Sequence, residues 1–308
     1  MAIYLTVDGG TTNTRIYLVC DRQVKDTCKL SVGARNGAEA LKAALREGIS
    51  RLLERNGIGQ TDVARIIASG MITSEYGLCE LPHLTLPAGT SELHGALCER
   101  CFSDISDIPW SFVRGVKSVG ECLEMSDVMR GEETELMGLM ESTQEGGLYV
   151  LPGSHSKHIS VDREGRIVAF QTMMTGELFA AVMQNTILKD AVDFEHNDLD
   201  EVELLHGYSY AVKHGINEAL FKTRILKNLF GATREQCYSF LLGCVLCDEV
   251  RSILRAGEQT VVLGGQKQFR MALAFLLKQT CQKRIIMLSD AQVEQSTATG
   301  AVRIFEFD

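Results

Sequence analysis

The chain has 308 residues, 45% hydrophobic and 23% charged, with only four prolines, so it can build two packed domains and carries no composition suited to a long disordered linker. Lys and Arg number 31 against 40 Asp and Glu, a net charge of −9, and that acidic balance excludes the basic face that nucleic acid requires. An anionic small molecule stays compatible with it, because cations inside a cleft act locally.

The opening MAIYLTVDGG has no basic n-region and reads as a strand, not a signal peptide. No apolar run approaches the ~20 residues of a membrane span. The expected setting is therefore the cytoplasm, with the ten cysteines as reduced thiols. Cys98/Cys101 and Cys244/Cys247 have C-x-x-C spacing. Both lie in stretches that read as apolar helix and lack companion Cys or His residues, so buried thiols are expected rather than a zinc or redox centre.

In chain order, strands are expected at Ile3–Val7, Thr14–Cys20 and Val24–Leu30, the first two joined by the turn DGGTTN and the last two by Asp21-Arg22-Gln23. Leu41, Leu45, Ile49 and Leu52 recur at helical spacing, Gly57 supplies a stop, and Val63–Ala68 returns to a strand. The β-β-β-α-β succession begins again at Leu148–Leu151, His158–Val161 and Arg166–Thr172. A helix follows, with Thr175 as its expected N-cap and Leu178, Val182 and Ile187 facing inward. Shifting the chain by 143 positions lays Gly10–Ile16 over Gly153–Ile159. Identity is confined to the glycine and the isoleucine, but element order and turn chemistry agree on both sides, which predicts a duplicated α/β domain. The later half is largely helical, with a capping box at Thr233–Gln236 opening a helix to about Leu254, and a buried strand Val261–Leu263 ending on Gly264-Gly265. The expected domains are 1–118 and 119–308, with the last helix crossing back.

Asp8-Gly9-Gly10-Thr11-Thr12-Asn13 closes a hairpin whose glycines let backbone N–H groups approach an anion, while Thr11, Thr12 and Asn13 add hydrogen bonds. Asp8, at the strand end, is placed to hold Mg2+ through water. The same residues also suit an ordinary hairpin turn. The second turn, Pro152-Gly153-Ser154-His155-Ser156-Lys157, raises the odds of a phosphate site. Two such turns across a cleft would clamp the β- and γ-phosphates of ATP, with Lys157 as the cation where charge develops and His155 bonding phosphate or substrate. No G-x-x-x-x-G-K-[ST] run and no strand followed by G-x-G-x-x-G is present. Gly264-Gly265 would let an adenine ring lie on the backbone. A carboxylate must accept the acceptor's proton. Gly131-Glu132-Glu133-Thr134, opening a helix that bears Leu136, Leu139 and Met140, offers two, although acidic residues also suit a helix start through its dipole.

Met129–Thr134, Leu151–Lys157, Met174–Phe179, Asp8–Arg15 and Ser69-Gly70-Met71-Ile72 with Pro82, Pro87 and Ala88 resemble the 2-dehydro-3-deoxygalactonokinases over most of the chain. The resemblance implies two actin-like (ribonuclease H-like) domains, each with a mixed sheet, and closure over an interdomain cleft. It further implies ATP and Mg2+, and transfer of the γ-phosphate to the terminal hydroxyl of 2-dehydro-3-deoxy-D-galactonate. It favours Glu132 over Glu133 as base, and puts the acceptor against Ser69, Gly70, Met71 and Ser74. The chain departs from the family pattern at Gly9 (usually Trp), at His158 (usually Trp) and at Ser74-Glu75-Tyr76-Gly77-Leu78 (usually Ser-Arg-Gln-Gly-Trp). An Arg at position 75 would suit a substrate carboxylate, and Glu75 repels one. Either Arg15, Arg130 or Lys157 takes that role or the acceptor is a neutral sugar or polyol. An actin-like nucleotide-binding protein without transfer is the rival from another class. The expected partner is a small sugar acid, with neither nucleic acid nor membrane. The apolar helices of the second half leave a homo-oligomer open.

Overall fold

The computed structural model describes residues 2–143, 145–192 and 198–307. The chain forms two compact units, one of Met1–Gly146, Val161–Phe170 and Ser289–Asp308, the other of Gly147–Ser160 and Gln171–Leu288.

In the first unit, β1 (Ile3–Gly9) and β2 (Thr14–Cys20) pair antiparallel from Ile3↔Cys20 to Gly9↔Thr14. β3 (Gln23–Leu30) joins β2 across Asp21 and Arg22, both at positive φ, the handedness that matches the twist of a two-residue hairpin. Helix α1 (Ala38–Asn56) buries Leu41, Leu45, Ile49 and Leu52 and stops on left-handed Gly57, as its periodicity predicts. β4 (Arg65–Gly70) then lies parallel to β1, setting Ser69 opposite Asp8 and Gly70 opposite Gly9. After β5 (Leu84–Thr85) and α2 (Thr90–Gly95) come β6 (Cys98–Phe102), β7 (Ser106–Phe112), β8 (Val116–Ser118), β9 (Asp127–Met129) and α3 (Glu132–Thr143). The main sheet runs β3-β2-β1-β4-β7-β6, and β5-β8-β9 form a small second one.

Cys98 and Cys101 correct the sequence expectation. They lie on edge strand β6, Cys98 partly exposed and Cys101 exposed, because pairing with β7 overrides the helical reading of that stretch.

From residue 147, β10 (Gly147–Leu151), β11 (Ser156–Val161) and β12 (Ile167–Met173) repeat the opening meander, Val161–Phe170 grouping with the first unit and the rest with the second, and α4 (Thr175–Asn185) follows. Three helices come next: α5 (Glu201–His214), α6 (Ile216–Phe230) and α7 (Arg234–Arg255), the last opened by the Thr233/Gln236 capping box. β13 (Thr260–Leu263) lies parallel to β10, α8 (Lys267–Thr280) follows, and β14 (Arg284–Met287) lies parallel to β13. The order β12-β11-β10-β13-β14 reproduces β3-β2-β1-β4-β7, so the duplication reaches the strand order. Cys244 and Cys247 are buried thiols on α7, as expected.

Two details of α4 differ from the sequence reading. Its N-cap is Met174, with no side-chain cap bond, because the Thr175 hydroxyl donates instead to the Glu249 carboxylate. Val182 is buried, but Leu178 is exposed because only one narrow face of this short helix meets the core, and Ile187 is exposed because the helix ends at Asn185 before reaching it.

The final helix, α9 (Asp290–Phe305), belongs to the first unit. Phe305 meets Tyr4 edge-on at 5.6 Å, so α9 covers the sheet face opposite α1, whose leucines pack with Leu5, Val7, Ile16 and Leu18. A sheet covered on both faces needs the nearly continuous apolar β1 that the sequence supplies. In the second unit Leu148, Val150, Val261 and Leu263 pack with α7 and α8.

Candidate active site

The first turn is held from behind. The carbonyls of Gly10 and Thr11 accept the N–H groups of Ala34 and Arg35 at 3.0 and 2.9 Å, and Gly10 N–H closes on the Asn13 carbonyl at 2.9 Å. The tip's acceptors are thus consumed on the inner side, while Thr11, Thr12 and Asn13 stand exposed. A turn whose carbonyls are bonded away and whose exposed tip carries N–H and hydroxyl donors is polarised to receive an anion.

Beside it lies an acidic corner. Asp8 is the next-to-last residue of β1, and its carboxylate pairs with Arg15 at 3.3 Å. Burial pushes the Asp8 carboxyl up and nearby Glu132 adds to that rise, while Arg15 opposes it. A hydrated Mg2+ needs one carboxylate plus phosphate oxygens, and a partly buried Asp8 with a second carboxylate nearby fits such an ion. At the start of α3 the two glutamates separate cleanly. Glu133 is fully buried, accepting Gly131 N–H at 2.7 Å and the Thr134 hydroxyl at 3.1 Å. Its pKa is pushed up to about 7, by burial first and by Glu132 second. Glu132 is only partly buried and accepts the Arg130 N–H at 3.1 Å. Of the pair, Glu132 alone has solvent access, which a proton acceptor needs to reach a substrate.

Gly70 takes φ 83, and a Cβ there would stand 2.6 Å from the Gly9 carbonyl. Ser69 Oγ is buried with no hydrogen-bond partner among the described residues. Ser74 Oγ donates to the Met71 carbonyl at 2.7 Å, shaping the turn that leads to exposed Glu75. Arg130 spends its terminal N–H groups on this loop: Thr73 O at 2.7 Å, Thr73 Oγ1 at 2.5 Å, Leu81 O at 3.0 Å and His83 Nδ1 at 3.3 Å.

The second turn is braced in the same way. The carbonyls of Gly153 and Ser154 accept the N–H groups of Gly176 and Glu177, at the start of α4, at 3.0 and 3.1 Å. His155 pairs with Glu177 at 2.7 Å. Lys157 is buried and donates to the His155 carbonyl at 3.1 Å. Behind Lys157, His158 meets the buried Glu249. Gly264 N–H bonds Val150 O at 2.9 Å. Gly265, at φ 65, passes so close to the strand end that a Cβ would stand 2.4 Å from Pro152 O. In the first unit, Gly70 stands in the same relation to Gly9.

The family model for 2-keto-3-deoxy-galactonokinase matches residues 8–304. The chain belongs to this family. It is 28% identical over 261 residues to the 2-dehydro-3-deoxygalactonokinase of Escherichia coli K12, covering 82% of this chain and 80% of that one. Among solved structures, a crystal structure of a putative 2-dehydro-3-deoxygalactonokinase protein from Sinorhizobium meliloti matches with a TM-score of 0.76 at 22% identity, over 98% of this chain and 97% of that one. The activator of 2-hydroxyisocaproyl-CoA dehydratase from Clostridium difficile, with bound ADPNP, matches with a TM-score of 0.55 at 13% identity, over 98% and 93%. The fold is that of the actin-like sugar kinases.

Within the 2-keto-3-deoxy-galactonokinase family frame, several site residues escaped the sequence reading. Gly33 and the Ala34–Asn36 turn carried no motif of their own, although a glycine eight residues before a helical run was a weak signal. The partners of the second turn, buried Glu249 and half-buried Ser252, lie on α7 more than ninety positions from His158, and nothing local in the sequence links them. Arg114 lies one residue past Val113, whose N–H bonds Ala68 O. Its Nε is buried with no hydrogen-bond partner among the described residues.

Proposed function

We propose that this chain transfers the γ-phosphoryl group of ATP to the terminal hydroxyl of 2-dehydro-3-deoxy-D-galactonate. The carrying observation is the pair of turns at Gly10 and Gly153, each with its carbonyls bonded inward to a following helical turn, in a chain matched by the kinase family model from residue 8 to 304. Thr11, Thr12 and Asn13 in one turn and Gly153, Ser154 and His155 in the other are the phosphate-binding groups of this reading. Gly264 and Gly265 lie under the adenosine. Asp8 would hold hydrated Mg2+, which neutralises phosphate charge when bound.

Glu132 orients the acceptor hydroxyl and takes its proton as the acceptor oxygen bonds to the γ-phosphorus. The bond from that phosphorus to the β–γ bridging oxygen breaks, and ADP leaves with the electron pair. Lys157 supports the charge on the transferring group. Ser69, Gly70, Met71 and Ser74 line the acceptor side, with Arg15 the cation nearest the acidic corner. The same reading places the enzyme in the cytosol, where ATP is available.

Coupled ADP release, measured against a panel of sugar acids and neutral sugars, tests this. Turnover is expected on the 2-keto-3-deoxy acid. Turnover confined to neutral sugars or polyols, or ATP hydrolysis indifferent to every acceptor, overturns it.

A further inference from the structure

The second turn rests on a buried ionic group that the reaction itself does not use. Glu249, on α7, is fully buried. Its carboxylate accepts from Nε2 of His158 and from the hydroxyl of Thr175, and Ser156 also hydrogen-bonds to it. Ser156 Oγ in turn accepts the N–H of Gly153 at 3.3 Å. Thr175 is the first residue of α4, whose next two N–H groups bond the carbonyls of Gly153 and Ser154. One carboxylate therefore fixes both ends of the brace, the turn through Ser156 and the helix start through Thr175.

His158 holds the carboxylate from the other side. The ring's other nitrogen, Nδ1, lies 3.0 Å from Ser252 Oγ, and that hydroxyl donates to Gln171 Oε1 at 3.1 Å. The buried carboxylate thus has three side-chain donors, the His158 ring and the hydroxyls of Ser156 and Thr175. Without the imidazole it would be a buried negative charge short of a donor beneath a turn built for phosphate. Burial alone would raise the Glu249 carboxyl, yet His158, Thr175 and Ser156 together hold it below the usual range.

We infer that Glu249 and His158 are positioning residues for the second phosphate turn, the carboxylate aligning Ser156 and Thr175 and the imidazole holding that carboxylate from its other side. This rests on the kinase reading above. Thr175→Val keeps shape and removes one donor. It is expected to raise the KM for ATP about tenfold, the usual cost of a hydrogen bond to a charged group, with the acceptor KM unchanged. Thr175→Ser is expected to restore the wild-type value. His158→Gln is expected to weaken ATP binding, and adding Glu249→Gln to recover part of the loss, since the double variant has no buried carboxylate left short of a donor.

A purely structural role would lower the melting temperature without moving the ATP KM or producing that recovery, and either outcome overturns the inference. Thermal stabilisation by a non-hydrolysable ATP analogue with Mg2+ separates the two levels. If the unmodified protein gains none, the kinase reading falls. If it gains and Thr175→Val gains equally, only the positioning role falls.

Discussion

Gly33 and Gly176 stand in the same relation to two different turns. A Cβ on Gly33 would lie 2.6 Å from the carbonyl oxygen of Gly10, and one on Gly176 would lie 2.4 Å from that of Gly153. Each glycine lets a helical turn approach the back of a hairpin tip closely enough for its N–H groups to take the tip's carbonyls. The 143-residue repeat in the sequence is thus a repeat of mechanism as well as of strand order.

Gly33→Ala and Gly176→Ala are therefore expected to act alike. Forcing a methyl group into either contact costs ~1–3 kcal/mol of stability and pushes the tip out of register. Steady-state kinetics should show a raised KM for ATP in both variants, with a smaller change in the acceptor KM. A variant with lowered melting temperature and unchanged ATP KM would remove that turn from the nucleotide site.

Glu132→Gln should lower kcat by ~10²–10⁴, the range for loss of a general base, and leave ATP affinity close to wild type. Glu133→Gln should keep most of its turnover, because Glu133 is sealed among Gly131, Thr134 and the core. The reverse ranking of the two variants in a single-turnover assay would reassign the base.

Glu133 also predicts a pH dependence of stability. Its folded pKa is raised from 4.5 to about 7, so the folded state binds the proton more tightly than the unfolded chain. Its contribution is fully present below pH 4.5 and is lost as pH rises through about 7, a change of up to ~3 kcal/mol. Melting temperatures measured from pH 5 to 8 should fall less in Glu133→Gln than in the wild type. Parallel curves would show that the buried carboxyl does not titrate in this window.

Local chemistry made some of this legible in the sequence and left the rest hidden. The β1–β2 and β10–β11 tips announce themselves through adjacent Gly, Ser, Thr and Asn between apolar runs, and α1 through Leu41, Leu45, Ile49 and Leu52. Thr175 looked like a helix cap because a threonine before a helical run usually is one. A buried carboxylate 74 positions away claimed its hydroxyl instead. Cys98 and Cys101 read as helix until β7 paired with them. Arg130 looked like a free cation for a substrate carboxylate, and only the folded loop shows four of its N–H groups committed.

That commitment yields the last prediction. Arg130 joins the start of α3 to the loop after β4 that carries Met71 and Ser74, through two bonds to Thr73, one to Leu81 and one to His83. A lysine keeps the charge, but its single ammonium cannot span acceptors that a planar fork reaches from two nitrogens. Arg130→Lys should therefore loosen the acceptor loop, raising the acceptor KM severalfold while ATP KM stays near wild type. If Arg130 instead held the substrate carboxylate by charge alone, the lysine would be a fair replacement for an acidic acceptor. Comparing the 2-keto-3-deoxy acid with a neutral analogue decides between these. Loss of affinity for both in Arg130→Lys marks a loop fastener; affinity kept for both in Arg130→Lys, with loss confined to the acid in Arg130→Gln, marks a carboxylate ligand.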